Sequence, residues 1–135
     1  MSAAIGIGTS NLSIEAYISK LQDLAVHTVV DVRAQPFSRF RPHFNRERFG
    51  LALKSAGIRY IWMGDKLGNP KDEKGERSLR GFEAFMQTPT YHDGLLELRS
   101  LIEKTPGTVA LTCAEAKEEE CHRQFILQDL HSPEM

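Results

Sequence analysis

The residues whose types could do chemistry are concentrated in one short segment near the end of the chain. This cysteine segment, residues 111–123, reads Leu111-Thr-Cys-Ala-Glu-Ala-Lys-Glu-Glu-Glu-Cys-His-Arg123. Its reactive or charged candidates are Cys113, Glu115, Cys121, His122 and Arg123. An apolar run before the segment predicts a strand and the pattern after it predicts a helix. Strand ends and helix N-termini of α/β proteins often bind ligands, so the segment is predicted to belong to an active site.

Polar side chains also follow the other strands that the sequence predicts. Ser10 and Asn11 come after the first apolar run, and Asp31 and Arg33 lie at the end of the second. Arg39 lies in the loop that follows. The carboxyl ends of parallel strands meet at one edge of a sheet, so we expect these residues to join the cysteine segment in one site.

Carboxylates and arginines at this edge predict acid–base chemistry on a phosphorylated substrate. Asp31 and Glu115 are the candidate acid and base, and Cys113 is a third candidate catalytic residue. The candidate substrate-binding residues are Ser10, Asn11, Arg33, Arg39, Arg80, Cys121, His122 and Arg123. Paired N–H donors of arginine and a helix N-terminus suit phosphate oxygens. The structural alternative is a buried ion network in which the same side chains only neutralise one another.

Cys113 also supports a different chemistry. A cysteine at a strand end that faces a helix start resembles the arrangement in rhodaneses and tyrosine phosphatases, where backbone N–H groups bind an anion and lower the thiol pKa. Those enzymes hold an arginine in a tight loop soon after the cysteine, whereas the first arginine after Cys113 is Arg123 and acidic residues precede it. Rhodanese-like sulfur or phosphate chemistry at Cys113 is therefore an alternative prediction.

The two cysteines are expected to be reduced, and no metal or cofactor is predicted. A disulfide that closes a loop as short as the one between Cys113 and Cys121 adds little stability, which favours free thiols or a ligand pair. The alternative is a disulfide that forms under oxidation. Cys121 and His122 are adjacent and would point about 100° apart on a helix. These two side chains are therefore poorly placed to bind the same metal ion.

The charge of the chain is unevenly distributed, which bears on nucleic-acid binding. The formal net charge is −1, but residues 1–32, 33–80 and 81–135 carry −2, +7 and −6. In the basic middle part, arginines alternate with Phe37, Phe40 and Phe44. Arginine can contact phosphate while an aromatic ring stacks on an unpaired base, so nucleic acid is a predicted partner beside a phosphorylated small molecule. A non-catalytic nucleic-acid-binding module that uses the same surface is the alternative to an enzyme. The alternative is a solvated loop whose phenylalanines pack on the core.

Alternating apolar and amphipathic segments predict an α/β fold. The expected order is β-α-β-α-β-flap-α-β-α, a mostly parallel sheet with helices on both faces, as in a three-layer sandwich. The predicted strands are residues 3–7, 28–32, 58–63 and 108–112. The predicted helices are residues 13–25, 45–56, 82–86, 88–104 and 121–130. Residues 64–80 contain three glycines and a proline and are predicted to form a mobile flap.

Length and composition indicate one domain without a membrane segment. A chain of 135 residues with 41% hydrophobic residues suffices for one core, so we expect a single α/β domain over residues 1–135. No apolar run reaches the length of a transmembrane helix, and the N-terminus lacks a signal-peptide pattern. These features favour a cytoplasmic protein with no membrane partner, and they do not fix its oligomeric state.

Several separated motifs together resemble the bacterial and archaeal family known as domain of unknown function 488. The motifs are Gly8-Thr-Ser-Asn11, Val30-Asp-Val-Arg33 with Pro36 and Ser38-Arg39, Phe44-Asn45, Gly57-Ile-Arg-Tyr60, Arg80-Gly81 with Phe85-Met86-Gln-Thr-Pro89, and Cys113-Ala-Glu115 with Cys121-His-Arg123. The resemblance implies an α/β sandwich and carries no assigned biochemical role. It also implies a further C-terminal strand, which the ending Leu130-His-Ser-Pro-Glu-Met135 lacks, so we expect a chain shortened relative to its relatives.

Overall fold

The fold is built on a parallel β-sheet, seen in a computed structural model that describes residues 4–9, 12–37, 39, 42–71, 73–114 and 121–131. The strands are β1 (Ala4–Gly8), β2 (Val26–Asp31), β3 (Arg59–Trp62) and β4 (Thr108–Cys113). Their order across the sheet is β1-β4-β2-β3, and every neighbouring pair is parallel. The predicted α/β class and parallel sheet are therefore confirmed.

Helices connect the strands and begin where short polar side chains can cap them. They are α1 (Ile14–Asp23), α2 (Arg46–Ser55), α3 (Gly64–Leu67), α4 (Leu79–Phe85), α5 (Pro89–Lys104) and α6 (Arg123–His131), with a 3₁₀ turn at Pro42–Phe44 before α2. The hydroxyl groups of Ser13, Ser78 and Thr88 each accept a hydrogen bond from a backbone N–H in the first turn of α1, α4 and α5. Such caps satisfy N–H groups that have no partner within the helix.

The sheet has a separate apolar core on each face, which confirms the three-layer sandwich. Successive residues of β4 point to opposite faces, so Ala110 packs in one core and Leu111 in the other. Helices α1 and α2 cover the first face, and α3 to α6 cover the second. The described helices include none that is both long and apolar enough to cross a membrane.

The segment predicted to be a flap contains regular structure at both ends. Residues 64–67 form α3, whose Gly64 and Leu67 are buried, and Ser78 caps α4 at the other end. The expectation of a segment without secondary structure was therefore wrong for these residues. Gly64 lies so close to the chain after β2 that a Cβ atom would overlap the Arg33 carbonyl oxygen. The mobility of residues 64–80 stays a prediction.

Candidate functional site

The candidate site lies at the carboxyl ends of the two central strands, β2 and β4. Asp31 at the end of β2 is paired in register with Thr112, one residue before Cys113 at the end of β4. Helix α6 starts beside this edge, where the ring Nε2 of His122 lies 2.9 Å from the backbone oxygen of Val32. The strand-edge geometry thus brings side chains from distant parts of the sequence to one place.

Asp31 is the buried centre of a hydrogen-bond network. Its side chain is fully buried, and its Oδ1 accepts from the Arg33 backbone N–H at 3.1 Å and from Arg33 Nε at 2.8 Å. Its Oδ2 accepts from Arg33 Nη2 at 2.8 Å and from the Tyr60 hydroxyl at 2.6 Å. Four donors to one carboxylate match the structural alternative of a buried ion pair. The role of Asp31 as an acid or base stays a prediction.

The network also fixes the protonation of its members. Burial disfavours the charged form of Arg33, but the hydrogen bonds and charge of Asp31 outweigh this effect and raise the Arg33 pKa. Burial and the neighbouring Asp31 charge raise the pKa of Tyr60 well above its usual range. Arg33 Nη2 also donates to the Phe44 carbonyl at 2.7 Å. Arg33 is therefore a charged side chain held rigidly at the edge of the sheet.

The two cysteines are joined as a disulfide, contrary to the expectation of reduced thiols. Cys113 ends β4, Cys121 immediately precedes α6, and both are almost fully buried. The Nη1 atom of Arg123, itself 2% exposed, lies 2.8 Å from the Cys113 sulfur. A guanidinium in this position would favour a thiolate if the disulfide were reduced. Rhodanese-like chemistry at Cys113 requires that reduction and stays a prediction.

His122 is packed inside the site rather than exposed. Its Nε2 faces the Val32 carbonyl oxygen, and because a carbonyl can only accept, Nε2 carries the proton. Its ring also meets the ring of Phe82 edge to face, with 4.8 Å between the centroids. His122 thereby links the start of α6 to the end of β2 and to α4.

A cavity of about 240 Å³ opens at this edge of the sheet, and we call it the edge cavity. It is lined by Arg33, Ala34, Gln35, Asn69, Arg77, Ser78, Leu79, Cys113, Ala114 and His122. Arg77 is held at the wall of this cavity, because its Nε donates to the Asn69 carbonyl at 2.8 Å and its Nη2 to Gln35 Oε1 at 3.0 Å. The segment between α3 and α4 is thus tied to the loop after β2.

The predicted site residues divide into three groups in the structure. Arg33, Cys113 and His122 line the edge cavity, while Asp31, Cys121 and Arg123 lie buried at the same edge of the sheet. Arg39 and Arg80 are exposed and do not line the cavity. Ser10, Asn11 and Glu115 lie outside the described residues. The structure therefore brings six of the predicted residues together, and the pairing of Asp31 with Glu115 stays a prediction.

Three side chains of the site escaped the sequence reasoning. Asn69 and Arg77 lie in the predicted flap, and Tyr60 lies in a predicted strand and in one of the family motifs, but none of the three is among the predicted site residues. Strand alternation gives one signal for Tyr60. Tyr60 is paired in register with Val29, which lies two positions before Asp31, so Tyr60 and Asp31 lie on the same face of the sheet. For Asn69 and Arg77 no local signal exists, because the segment reaches the sheet edge through tertiary packing alone.

A second depression, the aromatic groove, adjoins the edge cavity. Its volume is about 500 Å³, and it is lined by Ala34, Gln35, Pro36, Phe37, Arg46 and Trp62. The Phe37 side chain is 71% exposed, and the Arg46 guanidinium lies 4.4 Å from the centre of the Trp62 ring. Ala34 and Gln35 belong to both depressions, so an elongated ligand could contact both.

Comparison with known proteins decides the family. The model of the family described as domain of unknown function DUF488 matches residues 13–130, which include β2 to β4, α1 to α5 and all of α6 but its last residue. The chain belongs to this family. No curated protein and no solved structure matches it. Membership in DUF488 confirms the resemblance found in the motifs and leaves the function to be argued from the site.

The edge cavity of this DUF488 chain suits an anion better than a metal cation. Arg33 and Arg77 both line it. Among the described residues, no group of three or more His, Cys, Asp and Glu side chains is arranged to hold a metal ion. Arginine can bind planar oxyanions through paired N–H donors, so the arrangement can hold a carboxylate or a phosphate group.

Proposed function

We propose that the edge cavity binds a phosphorylated ligand of the nucleotide type at the carboxyl edge of the sheet. The observation that carries the proposal is that Arg33 and Arg77, which lie 44 positions apart in the sequence, line the same cavity. Asp31 forms an ion pair with Arg33, whereas no described carboxylate forms one with Arg77. Arg77 therefore supplies positive charge that a bound anion can neutralise.

The size of the cavity limits what can enter it. A volume of about 240 Å³ is smaller than the ~300–1,000 Å³ usual for pockets that enclose drug-sized ligands. A phosphate with a short attached group fits this space, and the remainder of a larger ligand would lie outside, along the aromatic groove. Of the described donors to Asp31, only Arg33 lines the cavity, so the proposed function is binding without an acid or base step.

The proposal is tested by calorimetric titration with ethyl phosphate and ribose 5-phosphate. Arg77→Ala should weaken binding by about 10- to 100-fold, the factor expected for one hydrogen bond to a charged group. Arg48→Ala removes the same charge from an exposed position of α2 outside the cavity and should leave the affinity unchanged. Binding should also weaken as salt is added. Equal effects of the two substitutions would contradict the proposal.

A second candidate function is the binding of single-stranded nucleic acid, with or without catalysis. The exposed ring of Phe37 favours it, because an aromatic ring of this kind can stack on an unpaired base while a neighbouring phosphate enters the edge cavity. Exposed Arg39 lies two residues further along the chain and could contact the backbone. This reading combines both depressions into one surface.

The second candidate is tested with labelled single-stranded and duplex oligonucleotides of the same sequence. Phe37→Ala should weaken single-strand binding by about 5- to 100-fold, as loss of one base–aromatic stack predicts. Leu51→Ala provides the matched control, because Leu51 is also exposed, at 65%, but lies outside the aromatic groove. Equal affinity for both oligonucleotides, or equal effects of the two substitutions, would refute a stacking surface.

A further inference from the structure

Strand β3 has an outer side that no other described strand pairs with. The order β1-β4-β2-β3 places it at an edge of the sheet. The Met63 N–H donates to the Asp31 carbonyl at 2.9 Å and therefore points toward β2. Because a trans peptide bond is planar, the Trp62 carbonyl of the same peptide points away from β2. Strand alternation gives the backbone N–H and carbonyl groups of Tyr60 and Trp62 the same outward direction.

A depression of about 720 Å³ lies beside this strand, and we call it the β3 groove. Tyr60 and Trp62 both line it, and Ile58 before the strand and Gly50 of α2 add apolar surface. Along the strand, Arg59 is exposed and the other residues are half-buried. The β3 groove shares no lining residue with the edge cavity, so it is a separate surface.

The β3 groove is positively charged. Its charged lining residues are Arg46, Lys54 and Arg59 against a single acid, Glu47, and all four are exposed. None of the four forms an ion pair with a described residue. Arg46 lies over the Trp62 ring, a contact that leaves its charge uncompensated by a carboxylate. This excess of cations favours an acidic partner.

We propose that β3 is a docking edge for an acidic, extended peptide segment of a partner protein, which adds a strand to the sheet. The peptide backbone exchanges hydrogen bonds with Tyr60 and Trp62, as in other cases of strand addition at an open sheet edge. Its carboxylates lie against the cations of the β3 groove. This docking edge is independent of the phosphate site proposed for the edge cavity.

Charge and backbone pattern favour this partner over two others. A second copy that paired through the same edge would bring two positively charged grooves together, and like charges across a strand pair are unfavourable. Single-stranded nucleic acid matches the charge, but it has no repeat of backbone N–H and carbonyl groups to pair with those of β3. An acidic peptide strand satisfies both the charge and the open edge.

The test is amide hydrogen exchange, measured by NMR, with a capped peptide that alternates glutamate and valine. The amides of Tyr60 and Trp62 should exchange fast in the free protein, whereas that of Ile61 points toward β2 and should already be protected. Peptide at about 100 times its Kd should slow Tyr60 and Trp62 by up to about 100-fold, because only the unbound protein exchanges. Exchange at Ile61 should slow by a smaller factor.

Charge variants test the role of the β3 groove. Lys54→Gln/Arg59→Gln should weaken binding of the glutamate peptide by about 2- to 25-fold, as loss of two exposed ion pairs predicts. The matched control, Lys20→Gln/Arg48→Gln, removes two charges from exposed positions of α1 and α2 outside the groove and should leave the affinity unchanged. A peptide with lysine in place of every glutamate should not bind.

Four results would overturn the proposal. The first is a glutamate peptide that does not bind, or that binds no better than the lysine peptide. The second is binding without added protection of Tyr60 and Trp62. The third is protection of these amides in the free protein that rises with protein concentration, which would assign the edge to a second copy. The fourth is binding of an oligothymidine, but not of the glutamate peptide, that Lys54→Gln/Arg59→Gln weakens. The exchange measurement uses the wild-type protein, so a folding defect of a variant would not prevent a decision.

Discussion

Replacing Asp31 by asparagine is the substitution that most directly separates a structural from a catalytic carboxylate. Asp31 is fully buried and accepts four hydrogen bonds, three from Arg33 and one from Tyr60. Asp31→Asn keeps the shape of the side chain but removes its charge. It also replaces one acceptor oxygen by an N–H₂ group that faces donors. Arg33 then lies in a largely buried position without its counter-charge.

The expected loss of stability is large. Breaking a buried ion pair by removing one partner costs about 3–5 kcal/mol in the free energy of unfolding. Tyr60→Phe removes one donor to the same carboxylate and should cost about 1.5–3 kcal/mol, the range for hydrogen bonds to charged groups. Because both changes act on the Asp31 carboxylate, the double variant should lose less than the sum of the two single losses.

The measurement is urea unfolding of the wild type, the two single variants and the double variant. With a slope of about 1–3 kcal/mol per molar urea, Asp31→Asn should lower the midpoint by at least about 1 M. Asp129→Asn is a useful comparison, since Asp129, near the end of α6, accepts from the Tyr91 hydroxyl at 2.7 Å. Its effect should add to that of Asp31→Asn, because the two carboxylates share no partner.

A variant Asp31→Asn that is as stable as the wild type, or more stable, would refute this reasoning. Catalytic groups are often held at a cost in stability, and their removal then stabilises the protein. That result would return Asp31 to the role of acid or base that its position at a strand end first indicated. The hydrogen bonds from Arg33 and Tyr60 would then hold a catalytic carboxylate in place and would not be a source of stability.

Three further predictions concern the tyrosines, a glycine and the cysteines. All three tyrosines have raised pKa values, chiefly through burial, so the unfolded chain loses its phenolic protons first and the free energy of unfolding should fall above pH ~10. Tyrosinate absorbance should therefore rise only together with unfolding, and ionisation in the folded protein near pH ~10 would contradict this. Gly64→Ala should cost about 1–3 kcal/mol or more and disturb phosphate binding, because its Cβ would overlap the Arg33 carbonyl oxygen, whereas Gly81→Ala, near only the Ser78 hydroxyl at 3.2 Å, should cost less. Alkylation of the denatured, unreduced protein should modify neither Cys113 nor Cys121, and modification of both would restore the expectation of free thiols.

The fold could be predicted from the sequence where local signals agree with packing. Ser13 and Thr88 are the first residues of two predicted helices, and in the structure each caps the helix, α1 or α5, that begins at the next residue. Helix α3 was missed because four residues show no helical period, and its stability comes from burial of Leu67 against the sheet. Ser78 was missed as a cap because the glycines and proline before it suggested a loop.

The candidate site could be predicted only for residues near strand ends, from the strand-edge rule that the carboxyl ends of parallel strands meet at one edge of a sheet. The rule placed Arg33 and Cys113 at one edge, where both line the edge cavity, because Cys113 ends β4 and Arg33 lies two residues after the end of β2. It gave no information on Asn69 or Arg77, because both lie between α3 and α4, away from any strand end. Residue type alone also cannot separate a reactive carboxylate from one that donors already saturate, which is the situation of Asp31.

The two arginines of the edge cavity should contribute to binding in different ways. Arg33 shares its charge with Asp31 and gives three hydrogen bonds to it and one to Phe44, so its main effect is to shape the loop that forms one wall. Among the described residues, Arg77 bonds only to neutral oxygens, those of Asn69 and Gln35. Affinity and its salt dependence should therefore follow Arg77, whereas stability should follow Arg33. The proposed anion site would thus combine a fixed wall, shaped by Arg33, with a charge on Arg77 that no described carboxylate pairs with.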